Sequence, residues 1–239
     1  CHLAGCPLGN RIPDYTDLVS RGHWREALHV LHDTNNFPEI TGRICPGLCE
    51  ASCTLSVNFS ASVCQQIELR IAEHGWSHRW IVPEPPGFKT GYRVAVIGSG
   101  PAGLAAAQQL RRKGHEVVVF EKSRWPGGLL MYGIPAFKLE KWILQRRLDQ
   151  MRSEGVVFET GVEVGEDISG SYLLHKFDAI IVAVGTSRSR DLQVPGRDLE
   201  GIHFATEFLA QQTQILLNEL DGSKECIDPR GKHVVVIGG

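Results

Sequence analysis

Two residue types carry the chemistry of this chain, and they are segregated. Six of the seven cysteines fall within the first 64 residues, whereas 19 of the 26 glycines follow residue 90. Thiolates are soft ligands for iron, zinc and sulfide, and glycine turns let a backbone approach a phosphate closely. The cysteines run Cys1, Cys6-Pro7, Cys45-Pro46, then Cys49 and Cys53 at intervals of four, then Cys64. A secreted disulfide scaffold fits poorly with the nucleotide-binding pattern downstream, which favours a reducing compartment. Three of the spacings suit zinc, so a zinc-bound docking module stands as an alternative. The repeated Cys-Pro pair points instead to iron and sulfur, because in two-cluster ferredoxins the cysteine before proline ligates the other cluster.

The glycines form a phosphate cradle in context. Arg93 to Ile97 reads as a buried strand, followed by Gly98-Ser99-Gly100-Pro101-Ala102-Gly103 and an alanine-rich helix to about Lys113. Gly98 permits the tight turn, Gly100 lets the backbone near a pyrophosphate, Gly103 brings helix against strand, and the helix N-terminus faces the phosphates. A second strand, Val117 to Phe120, ends in Glu121, 18 residues past Gly103, where the acid that binds ribose hydroxyls is expected. NAD and FAD share this turn. The Gly127-Gly128 pair suits a second close approach to a longer cofactor, and a further strand, Ala179 to Val184, ends at Gly185. FAD contacts are therefore expected at Gly98, Gly100, Pro101, Ala102, Gly103, Glu121, Gly127, Gly128, Leu129 and Gly185.

The elements that must position these groups divide the chain. Trp24, Ala27, Leu28 and Leu31 recur at helical spacing, as do Ile67 and Ile71 in a helix around 62–76, and strand signals are nearly absent before residue 90. Prolines in Ile81 to Gly87 mark a boundary. The expected fold is a small α-helical iron–sulfur domain (1–85), then an α/β Rossmann-like FAD-binding domain (86–232), then the first strand of a nicotinamide-cofactor domain (233–239, Val234 to Ile237). Leu139, Trp142, Ile143 and Met151 suggest one amphipathic helix, and Phe204, Phe208, Ile215 and Leu216 another, with the aromatics in the core. Asp221, Cys226 and Asp228 read as loop residues. The chain opens at Cys1 rather than Met and stops at Gly239 after a strand, which reads as a fragment cut at both ends. With 25 basic and 27 acidic residues and no basic stripe, nucleic acid is not an expected partner. The longest apolar runs are too short to span a bilayer, so neither is a membrane.

The stretches Cys6-Pro7-Leu8-Gly9-Asn10-Arg11-Ile12-Pro13, Asn35-Asn36-Phe37-Pro38-Glu39, Gly42-Arg43-Ile44-Cys45-Pro46 and Gly128-Leu129-Leu130-Met131-Tyr132-Gly133-Ile134-Pro135 resemble the small (beta) subunit family of glutamate synthases. Dihydropyrimidine dehydrogenase has a similar N-terminal domain. The resemblance implies a cytoplasmic electron-input subunit with FAD, two [4Fe–4S] clusters and an NAD(P)H site, passing electrons to a large (alpha) subunit that makes glutamate from 2-oxoglutarate and glutamine. It implies that Cys1 and Cys53 serve one cluster, with two cysteines upstream of Cys1, and that Cys6, Cys45 and Cys49 serve the other. The fourth ligand of the latter falls at Glu68, while Cys64, one helical turn earlier, departs from the family pattern. An input subunit of dihydropyrimidine dehydrogenase or a ferredoxin:NADP oxidoreductase is the alternative within the same fold.

Overall fold

The computed structural model describes residues 5–186, 189–220 and 226–238. The first eighty of these residues fold as helices: α1 (Ile12–Ser20), α2 (Trp24–His32), α3 (Pro38–Ile44), α4 (Leu48–Ala51), a 3-10 turn over Thr54–Val57, and α5 (Cys64–Ser77). Pro13 and Pro38 stand in the first turns of α1 and α3, where a missing backbone donor costs nothing and the fixed φ favours the helix. One apolar face of α2, Ala27, Leu28 and Leu31, packs with Ile12, Tyr15 and Ile71. Gly42 is required by contact rather than by φ: a Cβ there would sit 2.9 Å from the Leu69 Cα, so α3 lies directly on the backbone of α5.

Four parallel strands follow, β1 (Arg93–Ile97), β2 (Glu116–Glu121), β3 (Val157–Thr160) and β4 (Ala179–Val182), in the order β3-β2-β1-β4. Helices α6 (Pro101–Arg112), α7 (Leu129–Tyr132), α8 (Lys141–Glu154), α9 (Gly170–Lys176) and α10 (Ala205–Leu216) complete the chain order. The order reverses between β1 and β4, and ligands of open parallel sheets bind outside the carboxyl ends of the strands at such a point. The Gly98 turn, Glu121 and Gly185 all lie at that edge.

The two halves share a core. Phe37 and Ile40 of the helical half pack with Val96, Leu104, Leu139, Ile143, Leu144 and Leu148 of the α/β half. At the same seam Arg147, 1% exposed, forks onto the fully buried Glu39 (Nε–Oε1 2.7 Å, Nη2–Oε2 2.8 Å), and Arg43 and Arg146 both bond Glu73 at 2.9 Å. The expected linker is also tied down, with Gln150 Nε2 donating to the Val82 carbonyl and the Glu84 N–H donating to Glu154.

Several expectations need correction. Val234 to Ile237 form no strand and are exposed, Ile237 at 83%. A parallel strand exists only against a hydrogen-bonded neighbour, and among the described residues none pairs with this segment. The fourth strand ends at Val182, although Ala183 still donates to the Ile97 carbonyl. Trp142 points outward, half exposed, with the Arg146 guanidinium over its ring, while Leu139, Ile143 and Met151 are fully buried as expected. Phe204, the residue before α10, and Phe208 within it are only half-buried. Asp221 lies outside the described residues.

Candidate functional site

The glycine-rich turn is built around one buried carboxylate. Gly98, at φ +97°, turns the chain off β1, and its N–H donates to the Phe120 carbonyl of the neighbouring strand at 2.8 Å. A Cβ on Gly103 would collide with the Gly98 carbonyl oxygen, so only glycine lets α6 start that close to the strand. Glu121, 6% exposed, reaches back into the turn. Its Oε2 accepts from the Ser99 N–H (3.0 Å) and from the Ser99 hydroxyl, and its Oε1 accepts from the Ser123 N–H (2.8 Å). An ionised carboxylate offers about four acceptor positions, so three donors leave one on the Oε1 side.

The second glycine pair belongs to the same structure. The Gly127 N–H donates to the Ser99 hydroxyl at 2.9 Å, and a Cβ on Gly128 would lie 3.0 Å from the Gly100 Cα. The close approach expected of Gly127 and Gly128 is therefore first of all to the other turn. What this leaves open fits a pyrophosphate: α6 has no side-chain cap at Gly100, a Cβ on Gly100 would meet nothing within 4 Å, and Pro101 and Ala102 are exposed. The uncapped first-turn N–H groups of a twelve-residue helix face that space, with the positive end of its dipole. Leu129 is exposed beside them, and Gly185, at φ +66°, has open space around it.

In the helical half, Cys6, Cys49 and Cys64 pack in one cluster with Ile12, Tyr15 and Leu28, and Glu68 closes its polar side. Glu68 Oε1 accepts from the Tyr15 hydroxyl at 2.7 Å and from Asn10 Nδ2 at 2.9 Å. Burial, the hydrogen-bonded Cys64 thiol, Glu68 and Cys6 together push the Cys49 thiol up to about 12. Burial and Glu68 raise the Tyr15 phenol above its ordinary range. Thiols and a carboxylate gathered in one buried pocket are a donor set that suits an iron–sulfur centre. Cys53 differs. The Ser62 N–H donates to its sulfur at 3.5 Å, and backbone hydrogen bonding led by that contact holds its thiol below the ordinary value. Hydrogen bonds of this kind stabilise a ligating thiolate.

Of the expected ligands, Cys6 and Cys49 with Glu68 come together. Cys45 sits at the wall of a cavity of about 410 Å³ lined also by Arg43, Ile44, Gln65, Ile134 and Lys138, which sets the cysteine half beside the loop following the second glycine pair. Cys1 lies outside the described residues. Among the described residues no three His, Cys, Asp or Glu side chains converge on a single ion; a four-iron cluster spreads its ligands over separate irons. Sequence reasoning missed Ser99, Asn10 and Tyr15. Ser99 sat in the variable position of the fingerprint, and Tyr15 meets Glu68 across 53 residues, with no periodicity to announce it.

Comparison with known proteins places both halves. Residues 92–239 match the family described as pyridine nucleotide-disulphide oxidoreductase, and residues 1–80 match dihydropyrimidine dehydrogenase domain II, 4Fe-4S cluster. The chain is 54% identical to the glutamate synthase [NADPH] small chain of Mycobacterium tuberculosis, over 100% of this chain and 49% of that protein. It is 48% identical to the corresponding small chain of Bacillus subtilis, over 99% of this chain and 48% of that one. Against the glutamate synthase [NADH] of Schizosaccharomyces pombe it is 49% identical, over 98% of this chain and 11% of that protein. The chain thus spans about half the length of the bacterial small chains it matches.

Proposed function

The chain belongs to the pyridine nucleotide-disulphide oxidoreductase family, and from that premise we propose that it is part of the electron-input flavin and iron–sulfur subunit of a glutamate synthase. The observation that carries the reading is the likeness to glutamate synthase small chains running unbroken through the cysteine half and the glycine half together. When bound, the cofactors supply the redox chemistry: nicotinamide gives a hydride, flavin converts the pair to single electrons, and [4Fe–4S] clusters carry them on.

The residues of this chain bind and orient. Gly98, Gly100 and Gly103 bring backbone to the FAD pyrophosphate, with the N–H groups of Ala102 and Gly103 at the α6 terminus facing it. Glu121 takes one ribose hydroxyl on its open Oε1 position. Gly127, Gly128, Leu129 and Gly185 line the same edge, with Pro101 starting the helix. Cys6, Cys45 and Cys49 with Glu68 hold one cluster, and Cys53 with Cys1 supplies part of the other. The division 1–85, 86–232 and 233–239 assigns cluster, flavin and nicotinamide functions in turn. A large (alpha) subunit is the partner on this reading, and the cytoplasm the compartment; no helix among the described residues is long and apolar enough to cross a membrane.

The test is anaerobic purification of the full-length protein containing this chain, followed by flavin, iron and acid-labile sulfide analysis and by glutamate synthesis with the large chain. Stoichiometric flavin and sulfide with NAD(P)H-dependent glutamate formation are expected. Zinc without sulfide would overturn the cluster reading, and flavin reduction without glutamate formation would overturn the partner.

A further inference from the structure

Ser99 is fully buried, and its polar contacts tie the two glycine turns to the end of β2. Its N–H and its hydroxyl both donate to Glu121 Oε2, and the same hydroxyl oxygen accepts from the Gly127 N–H at 2.9 Å. One hydroxyl thereby joins three segments: the first glycine turn, the end of β2 and the second glycine pair. The Gly128 backbone lies against Gly100. We propose that Ser99 is a positioning residue for the flavin's adenosine diphosphate half, locking Glu121 with Oε2 turned inward and Oε1 outward, and docking the Gly127-Gly128 turn onto the first turn before the cofactor arrives. The proposal rests on the FAD reading above.

The physical basis is preorganisation. A carboxylate with three fixed donors cannot rotate freely, and two glycine-rich segments that would each sample many backbone states are pinned at one atom. Removing the hydroxyl strips a charge-assisted hydrogen bond from Glu121 and leaves a buried N–H unpaired, so both the acceptor for ribose and the wall of the cradle lose their geometry. The serine acts through Glu121 and Gly127 and touches no cofactor atom in this account.

The experiment is FAD titration of the deflavinated full-length protein, by flavin fluorescence quenching, for wild type, Ser99→Ala, Glu121→Gln and the double variant, with far-UV circular dichroism as a fold control. Ser99→Ala should weaken FAD about tenfold, which is about 1.4 kcal/mol. Glu121→Gln, which keeps the shape but spoils the donor and acceptor match, should weaken it by a similar factor. Because both act through one oriented carboxylate, the double variant should lose little more than either single one. Multiplying losses, or a tenfold effect of Ser99→Ala that is unchanged in the Glu121→Gln background, would show a merely structural serine and overturn the proposal. Wild-type affinity in either single variant would also overturn it. If Ser99→Ala does not fold, Ser99→Cys, which keeps the volume but offers only a weak donor, takes its place in the same cycle, and wild-type affinity or multiplying losses there overturn the proposal. Failure of the wild-type protein to bind FAD at all would instead overturn the flavin reading.

Discussion

Replacing Arg147 by Met tests whether the buried ion pair at the seam holds the two halves in one arrangement. Arg147 and Glu39 lie 108 residues apart, both essentially without solvent contact, and the guanidinium also bonds Gln150 at 3.0 Å and stacks 5.0 Å over the Trp76 ring. Burial pushes the Glu39 carboxyl up, but the charge and hydrogen bonds of Arg147 more than reverse this and leave it below its ordinary value, so the pair is ionised. Arg147→Met keeps most of the volume and strands the carboxylate without its cation. Breaking one side of such a pair costs about 3–5 kcal/mol, a large share of a total near 5–15 kcal/mol. With a urea dependence of about 2 kcal/mol per M, the midpoint should fall by about 2 M. Glu39→Gln added to Arg147→Met removes the stranded charge and should recover at least half of the loss. Urea unfolding of the full-length protein followed by circular dichroism reads both. A loss below about 1 kcal/mol for Arg147→Met, or no recovery in the double variant, would refute the view that the cost is an uncompensated buried charge.

Two further outcomes follow from the seam and the cradle. His32 is half-buried near Arg147, its Nε2 buried and unpartnered among the described residues, and desolvation followed by the Arg147 charge lowers its pKa from 6.5 to about 3. The folded state therefore refuses a proton the unfolded chain accepts, and stability should fall by up to about 1.4 kcal/mol per pH unit as pH drops from about 6.5 toward 3; His32→Gln should flatten urea midpoints between pH 6.5 and 5, and an unchanged slope would contradict the assignment. Gly128 combines φ +54° and ψ −126° with contact on Gly100, so Gly128→Ala should weaken FAD at least tenfold while circular dichroism stays near wild type; equal affinity would show that the two turns need not touch.

How much of this was legible depends on the range over which each constraint acts. Gly98, Gly103 and Glu121 could be read because a strand, a tight turn, a close helix and a second strand fix their spacing locally, and the structure puts Glu121 at that turn. The parallel sheet was legible for the same reason, from short apolar strands separated by helical stretches. Ser99 was not, because its partners are Glu121 and Gly127, joined only once β1 and β2 pair in register. Glu39 was read only as the last residue of a motif, and Arg147 was not singled out at all. Their pairing needs α3 to lie against α8, a fact of tertiary packing alone. Val234 to Ile237 failed in the opposite direction: an apolar β-branched run satisfies every local rule for a strand and still forms none without a neighbour to complete its ladder.

That asymmetry bears on why the seam is polar. A hydrophobic junction of similar area would hold the halves together about as well, since buried ion pairs are weak evidence for stability in themselves. A forked guanidinium on a carboxylate, however, accepts one geometry and penalises slippage, which a greasy surface does not. Phe37 and Ile40 bring α3 into the core of the α/β half, Glu39 between them fixes its rotation, and Arg43 one turn on fixes it again through Glu73. The next residues are Ile44 and Cys45, on the wall they share with Ile134. From the other side, Lys141 donates to the Leu130 and Ile134 carbonyls at 2.9 and 2.5 Å and pins the turn that follows Gly128. The charged groups thus lie where a small rotation of α3 would move Cys45 relative to the flavin-side loop. In a protein proposed to pass electrons between a cluster at Cys45 and a flavin at Gly128, fixing that distance is a use for which specificity matters more than net stabilisation.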